Sequence, residues 1–181
     1  MAVFIVLLRG IGAGTHKIMS MAQWRQAAAR AGFKDPQTYV ATGNMIVEGD
    51  GSSSDVAAQM NQIVLSLGLS ERNGAVVRTP EQLQAIVDAN PLPEAAASRP
   101  SQMGVYFFAS ETPDLEWTQS YEGPETMRIV QQHLIIDYSG RISDSKLLGG
   151  VEKRSGFTTA RNWNTLKALA DRSRLRSQQG Q

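Results

Sequence analysis

The pattern of apolar and polar positions divides the first half of the chain into six elements. A continuous apolar run over 3–8 predicts a buried strand, and Ser20 with Gln23 forms a capping box that predicts a helix ending at Gly32. Ser54 is predicted to cap a second helix, which ends at Gly68. Further strands are predicted over 37–41, 45–48 and 75–78. The order strand, helix, strand, strand, helix, strand is typical of the split βαβ pattern of a ferredoxin-like sandwich.

The second half repeats this pattern without repeating its residues. A helix is predicted from Thr79 to the break at Pro91, followed by a surface connection over 91–101. A final helix over 162–172 places Trp163 in the core, and the polar residues 174–181 are expected to fray. The remaining predictions are strands at 103–108, 126–130, 134–138 and 157–159 and helices at 112–119 and 143–153.

The sequence therefore predicts an α+β protein made of two tandem ferredoxin-like halves. Residues 1–79 form the first half, and residues 80–181 form the second half with a C-terminal helix. The chain of 181 residues contains no cysteine, which excludes a disulfide framework, a cysteine-ligated zinc site and a thiolate nucleophile. No metal and no cofactor is expected. The apolar run at 3–8 is too short for a signal peptide or a membrane span, so we expect a cytoplasmic protein without a membrane partner.

Charge is distributed unevenly along the chain although the net charge is only +1. Residues 1–34 contain five basic and no acidic side chains, residues 35–125 have a balance of −10, and residues 141–181 have a balance of +6. Either the basic ends form one face that binds nucleic acid weakly, or the charges are scattered over unrelated surfaces. Specific RNA recognition is not indicated, because the aromatic residues 106–108 are consecutive and cannot share one face of a strand.

The glycines after the first strand suggest an anion-binding loop. Gly10, Gly12 and Gly14 match neither a dinucleotide fingerprint nor a P-loop, and Lys17 is not followed by Ser or Thr. Two interpretations stay open, a generic anion-binding loop or a tight turn between strand and helix. His16, beside Lys17, is a candidate general acid or base.

Two other ionisable residues are given structural interpretations. His133 is expected to be an exposed residue of a hairpin turn. Asp137 is an isolated carboxylate, for which we expect a surface or capping role. No spacing typical of a metal site or of a nucleophilic triad accompanies either residue.

A second polar segment opens the final helix. Its backbone N–H groups and Arg161 could together hold a phosphate or a carboxylate. Asn162 and Asn164 could orient such a ligand, although Asn162 is equally suited to be the N-cap of the helix.

Three motifs now point to a family: Leu-Leu-Arg-Gly-Ile at 7–11, Thr-Tyr-x-x-Thr-Gly-Asn at 38–44 and Thr-Ala-Arg-Asn-Trp-Asn-Thr at 159–165. With them the chain resembles the bacterial domain of unknown function 1697 family over nearly its full length. The resemblance implies an α/β plait fold and no established activity. Gly12 stands where that family usually has Asn, which puts in doubt any role of the loop that requires an amide side chain.

We expect the motifs to line one cleft for a small anionic ligand, such as a nucleotide or a phosphorylated metabolite. A hydrolase or transferase that uses the same cleft, weak nucleic-acid binding, and a purely structural role are the alternatives. The sequence decides neither whether the protein is an enzyme nor its oligomeric state. The candidate ligand-binding residues are Arg9, Gly10, Gly12, Lys17, Thr42, Asn44, Arg161, Asn162 and Asn164.

Overall fold

Two four-stranded antiparallel sheets with accompanying helices make up this mixed α+β structure, a computed structural model that describes residues 1–180. The chain divides into two compact units. The first unit contains Met1–Leu83 together with the chain from Leu169 onward, and the second contains Gln84–Ala168. The halves 1–79 and 80–181 stay a prediction, and the units differ from them mainly because the end of the last helix belongs to the first unit.

The first unit has the strand order β2-β3-β1-β4, and every neighbouring pair is antiparallel. The predicted strands and helices are all present, but β2 begins three residues earlier than the sequence indicates, with a bulge between Lys34 and Gln37. Helix α4 (Pro80–Ala89) follows this sheet and runs into the second unit. The elements are β1 (Ala2–Leu8), α1 (Ala13–His16), α2 (Met21–Arg30), β2 (Lys34–Thr38), β3 (Asn44–Gly49), α3 (Ser53–Ser66), a 3-10 turn (Glu71–Asn73) and β4 (Ala75–Arg78).

One face of this sheet packs against α2 and α3. Alternate residues of β1, Phe4, Val6 and Leu8, point into a cluster that includes the fully buried Trp24 and Met60. The predicted start of α2 is confirmed, because Gln23 N donates to Ser20 Oγ over 3.1 Å and Ser20 N donates to Gln23 Oε1 over 2.8 Å. Amphipathic helices over an alternating sheet therefore form the core of this unit.

The predicted cap of α3 is wrong by two residues. Ser52, not Ser54, is the N-cap, since Asp55 N donates to Ser52 Oγ over 3.2 Å and Ser52 N donates to Asp55 Oδ2 over 2.8 Å. The third residue after Ser54 is Ala57, which cannot return a hydrogen bond to the cap. Ser52 and Asp55 form the reciprocal pair that a capping box requires.

The second unit has the corresponding strand order β6-β7-β5-β8, again fully antiparallel. The expected surface connection over 91–101 contains a short helix. The helix predicted over 143–153 begins seven residues later, at Gly150, and ends two residues later, at Ser155. Helix α7 (Trp163–Gln179) begins in this unit. The elements are α5 (Pro93–Ser98), β5 (Met103–Phe108), β6 (Thr126–Val130), β7 (His133–Asp137), α6 (Gly150–Ser155) and β8 (Thr158–Asn162), with 3-10 turns at Pro100–Gln102, Glu116–Ser120 and Ile142–Asp144.

The expectation of an exposed His133 is wrong. The hairpin turn contains only residues 131 and 132, so His133 is the first residue of β7 and pairs with Val130. Its ring is fully buried and meets the ring of Phe107 edge-on at 5.4 Å between centroids. The expectation of a buried Trp163 is confirmed, since its exposed fraction is 3%.

The expected fraying of residues 174–181 is also wrong for the part that the structure describes, and residue 181 lies outside the described residues. Helix α7 continues to Gln179, and Arg176 is fixed within the first unit by three bonds of 3.0–3.1 Å. They lead to the Glu48 carboxylate and to the carbonyl oxygens of Ile46 and Lys34. The segment is polar in sequence, but a long guanidinium side chain can satisfy carbonyl groups at the edge of a sheet.

Candidate functional site

The predicted site residues are distributed over both units. Arg9, Gly10, Gly12, Lys17, Thr42 and Asn44 belong to the first unit, whereas Arg161, Asn162 and Asn164 belong to the second. That the two groups share one cleft stays a prediction, and each group has its own local structure.

Arg9 lies where the central strand β1 ends. Leu8 N donates to Gly43 O over 2.8 Å on one side, and Arg9 N donates to Gly74 O over 3.1 Å on the other. The Arg9 side chain is half-buried, and its Nη1 donates to the carbonyl oxygen of Arg72 over 3.1 Å. The loop after β1, the turn before β3 and the turn before β4 therefore meet around Arg9 at the same end of the sheet.

Asn73 fixes the start of the glycine loop, a role that the sequence analysis missed. Its Nδ2 donates to Arg9 O over 3.0 Å and to Gly10 O over 3.4 Å. Gly10 has a φ of +67°, in the left-handed region that favours glycine. The contact joins residues 63 and 64 positions apart, so no local pattern in the sequence could have revealed it.

The rest of the glycine loop is exposed but anchored at both ends. A Cβ atom at Gly12 would meet nothing within 4 Å, and the Gly12 N–H donates to Thr15 Oγ1 over 2.9 Å. His16 Nε2 lies 2.8 Å from Ala41 O, where it acts as a donor because a carbonyl oxygen only accepts. Lys17 is exposed directly after this turn of helix. His16 thus joins the glycine loop to the turn 39–44. The nitrogen that donates this bond cannot also serve as a general base.

The turn from Tyr39 to Asn44 is fixed by Gly43 and Asn44, two positions at which the structure leaves little room for another residue type. Asn44 is completely buried, and its Nδ2 donates to Tyr39 O over 3.1 Å and to Thr42 Oγ1 over 2.9 Å. A Cβ atom at Gly43 would lie 2.7 Å from Ile11 Cγ1, closer than van der Waals contact allows. Asn44 therefore shapes the turn from inside, and Thr42 is the exposed member of the motif.

Val40 adds backbone strain to this turn. It is a β-branched residue with a φ of +48°, and half of its surface is exposed. Such residues rarely adopt the left-handed region, so the surrounding hydrogen bonds must impose this conformation.

In the second unit, Arg161 is buried on β8 with 8% of its surface exposed. Its Nη1 donates to Thr159 Oγ1 over 2.7 Å and to Ala160 O over 2.8 Å. Burial lowers the pKa of the Arg161 guanidinium to about 10, because removal from water disfavours the charged form. The group stays protonated at neutral pH, and its local bonds hold it within the strand.

The two asparagines that flank Trp163 differ in their surroundings. Asn162 Oδ1 accepts a hydrogen bond from Thr165 N over 2.9 Å, so Asn162 caps the N-terminus of α7. Asn164 is exposed on the first turn of this helix. The capping interpretation of Asn162 is confirmed.

Among the polar residues, Asp137 differs most from the surroundings expected from the sequence. It is 3% exposed instead of lying on the surface, and Arg99 binds both of its carboxylate oxygens. The bonds from Arg99 are the main reason why the pKa of Asp137 lies below its usual range. Arg99 is 38 positions away in a segment expected to be a surface connection, and therefore the sequence contained no signal for this pair.

Two kinds of site are absent from residues 1–180. No group of three or more His, Cys, Asp or Glu side chains in this part of the chain is arranged to hold a metal ion. Over the same residues, no helix is both long enough and apolar enough to pass through a lipid bilayer.

Comparisons with known proteins agree with the architecture. A solved structure of a conserved bacterial protein from Streptococcus pneumoniae superposes with a TM-score of 0.75 at 18% sequence identity, covering 96% of this chain and 99% of the other. At that identity the likeness establishes the fold alone. No curated protein matches the sequence. A family model described as "Protein of unknown function (DUF1697)" matches residues 1–134, which include the segments around Arg9 and Asn44. The chain therefore belongs to the DUF1697 family of proteins of unknown function.

Proposed function

We propose that this protein binds a small anionic ligand, a nucleotide or a phosphorylated metabolite, at the end of β1. The site comprises the glycine loop 9–17 and the exposed part of the turn 39–44. The observation that favours it is an open glycine backbone held between two anchors. Asn73 fixes the loop at Gly10, and the bond from His16 to Ala41 fixes its other end. A fixed loop loses little entropy when it binds a ligand.

The chemistry of the loop suits an anion. Gly12 and Gly14 are exposed, and a Cβ atom at either position would have no neighbour within 4 Å, so a ligand can approach their backbone closely. Lys17 is an exposed cation beside them, and the first 34 residues contain no acidic side chain that would repel an anion. The Gly12 N–H already donates to Thr15 Oγ1, so the contacts to an anion would come from the neighbouring backbone and from Lys17. Backbone N–H groups and a cationic side chain together are typical of phosphate recognition.

A thermal-shift screen tests this proposal. Nucleotides, sugar phosphates and short oligonucleotides are added separately, and we expect one class to raise the melting temperature saturably. At a concentration 100-fold above Kd, binding stabilises the folded state by about 2.7 kcal/mol. Oligonucleotides test the alternative of weak nucleic-acid binding, whose shift would disappear as salt is raised.

Lys17→Gln supplies the deciding variant, because its exposed side chain can be neutralised without disturbing the fold. The matched control is Arg25→Gln, which removes one exposed positive charge from α2 in the same unit. We expect Lys17→Gln to weaken the shift and Arg25→Gln to preserve it. Equal effects of the two substitutions, or no shift with any ligand, would contradict a site at this loop.

A purely structural role for the motifs is the second candidate, and the local hydrogen bonds of three motif residues favour it. Asn44 is enclosed within its turn, Arg161 is bonded within β8, and Asn162 caps a helix. Under this alternative, Asn44→Ala and Arg161→Ala lower the melting temperature and the ligand screen shows nothing. A ligand that shifts the melting temperature of the unaltered protein would exclude it as the complete explanation.

We further propose that each unit has a ferredoxin-like topology. When the strands of each unit are numbered 1 to 4 along the chain, both sheets have the order 2-3-1-4, which is 4-1-3-2 when it is read from the other edge. This is the order of a ferredoxin-like sheet, and all neighbouring strands are antiparallel, as that fold requires. A cytoplasmic location is likewise a proposal. Fractionation of the host cells, followed by detection of the protein, tests it.

A further inference from the structure

The second unit contains a groove that the proposed anion site does not use. It encloses about 370 Å³, in the range of small-molecule sites, beside the start of α5. Leu92, Pro93 and Ala95 form an apolar wall, and Thr126 and Arg128 of β6 lie along the groove. Asp137, at the end of β7, also lines it.

The floor of the groove is one face of the β6–β7 pair. Thr126 pairs with Asp137 and Arg128 pairs with Ile135, and side chains on every second residue of a strand share a face. Thr126, Arg128 and Asp137 therefore point to the same side of the sheet. The groove has a rigid, strand-built floor instead of a loop.

The ion pair at the floor is already complete. Arg99 Nε donates to Asp137 Oδ1 over 3.1 Å, and Nη2 donates to Oδ2 over 2.5 Å. The third nitrogen, Nη1, donates to Ser98 Oγ over 3.2 Å, and Ser139 N donates to the same Asp137 Oδ1 over 2.9 Å. Because each of the two charges compensates the other, the pair gives the groove polarity without net charge.

Two further charges face the groove from different elements. Glu94 is exposed on α5, and Arg128 is exposed on β6. Within residues 1–180, neither side chain forms an ion pair closer than 4 Å. Asp137 is the main cause of the raised pKa of the Arg99 guanidinium, and Glu94 lies near enough to raise it further. Arg128 Nη1 donates to the neighbouring Met127 O over 2.8 Å. A simple anion would be attracted by Arg128 and repelled by Glu94, and the reverse holds for a simple cation.

We propose that this groove binds a small zwitterion, a molecule of amino-acid or dipeptide size with a free ammonium and a free carboxylate group. Glu94 receives the ammonium group, Arg128 receives the carboxylate, and the carbon skeleton packs against Leu92, Pro93 and Ala95. Such a ligand pairs with both charges at once, and its zero net charge matches the zero net charge of the side chains that line the groove. The assignment does not depend on the anion site in the first unit.

Titration calorimetry of the full chain tests the proposal with leucine and alanyl-leucine as probes. Each probe is compared with its N-acetyl form, which lacks the ammonium, and its C-terminal amide, which lacks the carboxylate. We expect saturable binding of the free probes at up to millimolar concentration and at least a tenfold loss of affinity for each capped form.

Variants assign the two ends of the ligand. Glu94→Gln is expected to lower the affinity for the free probe about tenfold but not the affinity for the N-acetyl form, which has no ammonium group to lose a partner. Arg128→Gln is expected to lower the affinity for the free probe about tenfold but not the affinity for the C-terminal amide. Glu111→Gln and Arg141→Gln, which remove matched exposed charges elsewhere in the unit, are the controls. Because both groove residues are exposed, their replacement is expected to leave the melting temperature unchanged.

Three results would each overturn the assignment. The first is the absence of saturable heat with both free probes, and the second is equal affinity for free and capped forms. The third is an equal loss of affinity in the groove variants and the control variants.

Discussion

The two units arrange four strands in the same order but stabilise them by different means. In the first unit, the 10-residue helix α2 and the 14-residue helix α3 cover the sheet with apolar side chains, among them Trp24 and Met60. In the second unit, the corresponding connections contain a five-residue 3-10 turn and the six-residue helix α6. These two connections therefore offer the second sheet less helical surface than α2 and α3 offer the first.

Polar contacts compensate for this in the second unit. The Glu125 carboxylate accepts hydrogen bonds from Tyr121 over 2.6 Å and from Ser145, and Trp117 Nε1 donates to Ser155 Oγ over 2.9 Å. Burial raises the pKa of Glu125, but the bonds from Ser145 and Tyr121 outweigh burial and hold it below its usual range. Burial and the bond to Glu125 raise the pKa of Tyr121 to about 12. One topology can thus be stabilised by apolar helices or by hydrogen-bonded loops.

The largest effect is expected in the apolar core of the first unit. Trp24→Ala removes a fully buried side chain and should lower the free energy of unfolding by about 3–5 kcal/mol, measured by urea denaturation. Within residues 1–180, the Trp24 Nε1 group is buried without a hydrogen-bond partner. Trp24→Phe therefore loses no hydrogen bond and should cost much less than the alanine variant. Equal losses would show that packing of this side chain does not stabilise the unit.

The next largest effect is expected at Arg176, which connects the end of α7 to the sheet of the first unit. Arg176→Ala removes bonds to Glu48 and to two carbonyl groups and should cost about 2–3 kcal/mol. Arg174 is the control, because its one ion pair among the described residues is an exposed contact with Asp171, worth about 0–1 kcal/mol. Equal melting temperatures of the two variants would contradict the docked end of the helix.

In the second unit, Asp137→Asn should cost about 1.5–3 kcal/mol at neutral pH, since it weakens the bonds from Arg99. The pKa of Asp137 is lower in the folded state than in the unfolded chain, so its stabilisation is present above the unfolded pKa of about 4. That stabilisation is lost as pH falls through the folded pKa. Melting curves from pH 7 to pH 2 should therefore be less pH-dependent in the variant, and parallel curves would contradict this.

The smallest effect distinguishes two serines at the start of α3. Ser52→Ala should cost about 1 kcal/mol because it removes the cap, whereas Ser54→Ala should be nearly neutral. The difference is measurable by urea denaturation. A larger loss at Ser54 would instead favour the cap that the sequence predicts.

The elements of the fold could be predicted from the sequence where their signals lie within a few residues. Local signals located the strands and most helices, because the capping box at Ser20 and the alternation in β1 depend on neighbouring residues. The cap at Ser52 has a local signal too, namely the acidic residue Asp55 three positions later. It was missed because Ser52 was not matched with that partner. His133 was misplaced because the length of a two-residue hairpin turn decides which residue begins the strand.

The candidate site could be predicted only in part. Arg9, Gly12 and Lys17 were recognised from glycine and charge patterns within one loop. Asn73 and the Arg99–Asp137 pair were not, because their contacts join residues 38 or more positions apart. Burial of Asn44 was equally invisible, since a polar side chain in a turn is usually expected at the surface. Sequence patterns identify the groups present, and tertiary contacts decide which of them can meet a ligand.

The return of α7 to the first unit has a consequence for synthesis of the protein on the ribosome. Arg176 binds residues of β2 and β3, which are about 130–140 positions earlier in the chain. During translation the first sheet therefore emerges long before the helix that completes its unit. We expect the nascent first unit to leave the carbonyl groups of Ile46 and of Lys34, which is on the edge strand β2, without their Arg176 partner until the whole second unit has been made. In that period, wrong strand pairing at β2 is a risk.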